Sequence, residues 1–123
     1  MASRLCRLVH LSRTPENRVS SLEDRYMHRG MPLSAGKLCA EGHAVQCPYH
    51  GLEFDASGAC INAPGQATIP RAMRVLAYPV YEQDSLVWLR PGDSELADPA
   101  DIPALERGDG PQWEVLGEAY FEF

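Results

Sequence analysis

Apolar residues in this chain recur at alternate positions in short runs, and no stretch keeps the three-to-four spacing of a long amphipathic helix. Arg4 to Leu11 sets Leu5, Val9 and Leu11 against Arg4, Arg7 and His10. Thr14-Pro15-Glu16-Asn17 then reads as a turn, because Pro presets φ and Asn tolerates tight geometry. Arg18 to Leu22 returns as a second strand. Lys37 to Ala40 and His43 to Cys47 read as short strands about a Glu41-Gly42 turn, which leaves His43 exposed. Leu52 to Phe54 and Ala59 to Asn62 form another hairpin across Asp55-Ala56-Ser57-Gly58. Val75 to Tyr81 and Leu86 to Arg90 make the clearest pair, turning at Glu82 to Ser85, with Tyr78 and Trp88 as core aromatics. Pro91 to Pro111 lacks an apolar period and should be irregular, with one helical turn near Ala104. Trp113 to Phe123 alternates as a last strand. The predicted fold is all-β, a small antiparallel barrel or sandwich.

Two clusters of metal-ligand residues interrupt this pattern. His28 lies in Tyr26-Met27-His28, and Cys47-Pro48-Tyr49-His50 follows after eighteen intervening residues. Gly30 and Gly51 stand just beyond them, where a loop can turn sharply. A soft sulfur and two imidazoles suit iron, zinc or copper better than calcium or magnesium. The competing reading is a buried thiol and two ordinary histidines. The hairpins place both clusters at loop tips, near the surface, and the loop Asn62 to Pro70 is expected to lie over them.

The arrangement resembles the Rieske iron–sulfur domain, in which Cys-x-His on one loop and Cys-x-x-His on a second hold a [2Fe–2S] cluster. The words HRGMPLS, CPYHGLEFDASG, the Pro64-Gly65 pair and WLRPGDSELADPADIP look most like the oxygenase components of vanillate O-demethylase and dicamba monooxygenase. The resemblance runs from about Leu8 to the end of the sequence. It implies one domain over residues 1–123, with a cluster-binding subdomain at about 24–66. It assigns His28, Cys47 and His50 as cluster and metal ligands. The first cysteine of the pattern is replaced by Tyr26, and Met27 stands where the oxygenase branch usually has Pro. Three outcomes are open: a site without a cluster, a cluster with Tyr26 as ligand, or a single iron or zinc ion on His28, Cys47 and His50. Cys39 and Cys60 read as structural, as does His10 on its strand surface. Tyr49 is either a hydroxyl donor near Cys47 or a packing aromatic. Arg25 and Arg29 flank the first loop as surface charge.

By the same resemblance the domain moves electrons. A reductase or ferredoxin is the expected donor, and the mononuclear iron of an oxygenase catalytic domain or subunit is the acceptor. That iron is held by two histidines and a carboxylate in the family, and no His follows His50 in this sequence. The resemblance therefore implies a chain with no mononuclear-iron domain and no catalysis alone. It also implies homo-oligomers, since the family's oxygenases form trimers. The alternative is a degenerate Rieske fold acting as a binding or structural module.

Charge and cysteine usage narrow the partners. The net charge is −6, and nine of the seventeen acids fall after residue 90, against one Arg. Such a chain is a poor nucleic-acid binder, because phosphate contact needs clustered positive charge. No apolar run approaches a membrane span, and the N-terminus has no signal-peptide pattern. The four cysteines are accordingly read as free or metal-bound thiols in a reducing cytoplasm. Respiratory Rieske proteins bridge a cysteine beside each ligand loop, and Met31 and Tyr49 occupy those places here.

Overall fold

A computed structural model describes residues 9–25 and 31–105. The described residues contain eight short strands, four single turns of 3₁₀ helix and no α-helix. Every strand pair is antiparallel. β1 (Val9–Arg13) pairs with β2 (Val19–Glu23), with Val9 opposite Glu23 and Arg13 opposite Val19. β3 (Lys37–Cys39), β4 (Ala44–Gln46), β5 (Glu53–Asp55) and β6 (Cys60–Asn62) form a sheet in that order. β7 (Val80–Gln83) pairs with β8 (Leu86–Leu89). The all-β expectation holds.

The central strands are three residues long, so the pieces depend on what joins them. One connecting ribbon does most of this. Met73 and Val75 exchange backbone hydrogen bonds with Cys60 and Gly58, and Leu76 and Tyr78 do the same with Glu23 and Ser21. The ribbon thereby ties the edge of the four-stranded sheet to β2. Leu22, Leu33, Val45, Cys47, Leu52, Phe54, Cys60, Ala63 and Val75 fill a single core beneath it, with Met31, Ile69, Met73 and Ala77 packed around them. Phe54 is fully enclosed. Its β5 neighbours Glu53 and Asp55 point the other way, as strand alternation requires.

Several boundaries differ from the sequence reading. β1 continues past Leu11 to Arg13, and residues 4–8 lie outside the described part. The β3–β4 connection is wider than a two-residue turn. Cys39 pairs with Ala44, so four residues must cross the gap, and Ala40, Glu41 and Gly42 all take positive φ. His43 is exposed there, as expected. β7 begins at Val80 rather than Val75, because residues 73–78 spend their hydrogen bonds on the ribbon. It runs on to Gln83, and the turn contracts to Asp84-Ser85, both at φ near 55°. Two positive-φ residues match the right-handed twist of a hairpin.

The helical turns in the acidic segment are Ser94–Leu96 and Pro99–Asp101, not one near Ala104. Asp93 and Asp98 fix them by accepting from the backbone N–H groups of Glu95 and Ala100. Tyr78 is buried as expected, whereas Trp88 is only half-buried, its Nε1 donating to the Gln83 carbonyl at 3.3 Å. The strand expected at Trp113 to Phe123 falls outside the described residues.

Phe54→Ala removes the largest enclosed side chain from a core shared by all these pieces. Denaturant unfolding should show a loss of about 3–5 kcal/mol.

Candidate metal centre

The loop between β4 and β5 is Cys47-Pro48-Tyr49-His50-Gly51-Leu52. It is closed by its own backbone. The Cys47 N–H donates to the Leu52 carbonyl at 2.7 Å, and the Gly51 N–H donates to the Cys47 carbonyl at 3.1 Å. Gly51 turns the chain at φ 70°, a left-handed value that disfavours a side chain. Closure separates the two candidate ligands by depth. Cys47 is 1% exposed, within the core beside Leu52 and Phe54, whereas Tyr49 and His50 are exposed. Their rings meet edge to face with centroids 4.0 Å apart, which restrains the imidazole from one side. Pro64, from the loop after β6, lies beside Gly51: a Cβ there would sit 3.4 Å from the Pro64 ring. The expected cover over this tip is thus present at Pro64.

The first candidate loop is described at its ends only. Tyr26, Met27, His28, Arg29 and Gly30 lie outside the described residues. The ends are firmly held. Asp24 is 9% exposed, and its carboxylate accepts from both the N–H and the hydroxyl of Ser34, at 2.7 and 2.6 Å. Leu33 is fully buried and Met31 packs on the core. Arg25 is exposed. Among the described residues, no three His, Cys, Asp or Glu side chains gather as a metal site.

The other cysteines and histidines have ordinary tasks. Cys39 donates to the Ala44 carbonyl and Cys60 to the Asn62 carbonyl, and burial pushes both thiols up. Neither is poised as a thiolate. His43 lies 3.6 Å from Glu16 at the surface. His10 is not the surface residue that its strand suggested. It is half-buried, and its Nε2 is enclosed without a hydrogen-bond partner among the described residues. Sequence reasoning missed Asp24 and Ser34, whose hydrogen bonds join the chain on either side of residues 26–30, and Gly36, which lies close against Gln46. A ten-residue separation between a carboxylate and a serine carries no periodic signal. The clefts of the described surface lie elsewhere, one between the β7–β8 hairpin and residues 91–103, another between β2 and β7.

Comparison with known proteins gives the family and the fold. Residues 4–81 match the model of the Rieske [2Fe–2S] domain, and the chain belongs to that family. The oxygenase component of dicamba O-demethylase from Stenotrophomonas maltophilia is 44% identical over 108 residues, covering 87% of this chain and 31% of that protein. The iron–sulfur subunit TsaM1 of the toluene-4-sulfonate monooxygenase system from Comamonas testosteroni is 44% identical over 107 residues, covering 87% of this chain and 30% of that one. The crystal structure of dicamba monooxygenase bound to 3,6-dichlorosalicylic acid superposes with a TM-score of 0.76 at 44% identity, over 81% of this chain and 29% of that one. The chain spans about 30% of the length of these relatives. No helix among the described residues is long and apolar enough to cross a membrane.

Two variants test the local account. Gly51→Ala forces a side chain into left-handed backbone and should cost about 1–2 kcal/mol in denaturant unfolding. His10→Gln should alter the pH dependence. Burial holds the His10 imidazole below its ordinary value of 6.5, and attraction to Asp24 opposes this more weakly. Protons therefore favour the unfolded chain, so the His10 contribution is intact above about 6.5 and is lost as pH falls from there through the folded value. Unfolding curves taken from pH 7.5 to 5 should show a shallower decline for His10→Gln than for the wild type.

Proposed function

We propose that this chain is the electron-transfer domain of an aromatic-ring oxygenase or O-demethylase system. The [2Fe–2S] cluster that the family implies would be held by His28 and His50 on one iron and by Cys47 on the other. When bound, such a cluster carries one electron at roughly −150 to +300 mV, because neutral imidazole replaces charged thiolate on one iron. The donor would be a reductase or ferredoxin. The acceptor would be a mononuclear iron in an oxygenase catalytic domain or subunit. The observation that carries this reading is the Cys47–Leu52 loop. It buries the thiol, exposes the imidazole at position 50 and is closed by its own hydrogen bonds. A ligand loop of this kind keeps its donors in place while leaving the histidine side open to a partner.

The donor set fits in three places of four. Tyr26 occupies the remaining one. A tyrosine oxygen is a hard donor, less suited to reduced iron than sulfur. Its proton is also harder to remove, with an ordinary pKa near 10 against about 8.5 for a thiol. The phenol oxygen lies several atoms further from the backbone than a cysteine sulfur. These terms favour a sparsely filled site over a phenolate-ligated cluster. Tyr26 is also what supports the second reading, a cluster-free or single-metal Rieske fold, with iron or zinc, serving as a binding module.

Iron and acid-labile sulfide, assayed on protein purified without oxygen, separate these readings. Tyr26→Cys should carry a full cluster and a brown colour, and the wild type markedly less. Equal, full occupancy in both chains would contradict the argument about Tyr26. Absence of iron and sulfide from both would overturn electron transfer in favour of the binding module.

A further inference from the structure

We propose that Asp24, Ser34 and Gly36 are positioning residues that hold the Cys47 end of β4 in place, a role that rests on the assignment of Cys47 as a ligand above. The chain leaves β2 at Asp24 and returns to the core at Met31 and Leu33. A buried carboxylate bonded to both donors of Ser34 ties departure to return. Hydrogen bonds to a charged acceptor are about twice as strong as neutral ones, and this pair closes a ten-residue gap. The tie fixes the width of the loop base.

Gly36 then fixes where that base sits. A Cβ at Gly36 would overlap the carbonyl oxygen of Gln46 and crowd that of Leu33 at 3.0 Å. Both obstacles are backbone, so neither can swing aside. The φ of Gly36 is −86°, a value open to any residue, so close approach is what requires glycine here. Gln46 is the last residue of β4 and directly precedes Cys47. The base of the first loop therefore bears on the strand that presents the buried thiol. A displacement at Gly36 is transmitted to Gln46 and from there to Cys47, while Cys60 lies two strands away on β6.

Cys60 is an internal control, because it is a buried thiol in the same core. The experiment measures alkylation of Cys47 and Cys60 in the purified full chain by peptide mass spectrometry. Gly36→Ala and Asp24→Ala should each raise the Cys47 rate roughly tenfold relative to Cys60, through local opening. Ser34→Ala keeps the backbone donor and should raise it less. Gly92→Ala meets open space and should change neither rate. A role in general stability would raise both thiols together, and that result overturns the proposal. So does an unchanged Cys47 in Gly36→Ala. Iron and sulfide content, measured separately, bears on the ligand reading instead. Absence of both from the wild type and from Tyr26→Cys, together with selective exposure of Cys47, would sink that reading and leave the mechanical link standing.

Discussion

In the Cys47–Leu52 loop a thiol and an imidazole three residues apart lie at different depths, Cys47 in the core and His50 at the surface, and the loop holds that difference with its own backbone. The N–H of Cys47 and the carbonyl of Leu52 bring the two ends together, and Gly51 supplies the left-handed turn that closes the interior. Cys47 can then join the core while Tyr49 and His50 stand outside it. The rest of the fold serves this arrangement. β4 and β5 carry the loop, Phe54 anchors β5 from below, and Pro64 bears on the tip from the side.

Strands of three residues cannot hold such a loop by ladder hydrogen bonds alone. The core and the Met73–Tyr78 ribbon supply what they lack. The ribbon joins the four-stranded sheet to β2, and Asp24, directly after β2, accepts both hydrogen bonds from Ser34. A continuous path of backbone contacts and buried side chains thus runs from one loop base to the other.

Much of this was legible in the sequence. Alternating apolar positions and turn residues predicted the strands in order, and the spacing of His28, Cys47 and His50 carried the family resemblance. The strand ends were less legible, for particular reasons. Val75 to Tyr81 reads as one strand, but its first half is committed to two different partners and only Val80 onward forms a hairpin. The Ala40–Gly42 turn depends on positive φ at Ala40 and Glu41, residues that do not advertise it. The clamp was invisible because Asp24 and Ser34 are common surface residues, and only the folded core makes them buried partners. Gly36 could be recognised as a glycine, but its need for close approach to Gln46 appears only in three dimensions. His10 showed the reverse error, a polar residue on an alternating strand that is half-buried.

The central proposal is that His28, His50 and the buried Cys47 define a Rieske centre once position 26 supplies sulfur. The midpoint potential of Tyr26→Cys, followed by visible absorption during a redox titration, addresses it most directly. Mixed imidazole and thiolate ligation predicts a reversible one-electron transition within roughly −150 to +300 mV. A midpoint near −400 mV, the value of all-cysteine plant-type clusters, or the lack of any reducible chromophore, would contradict it.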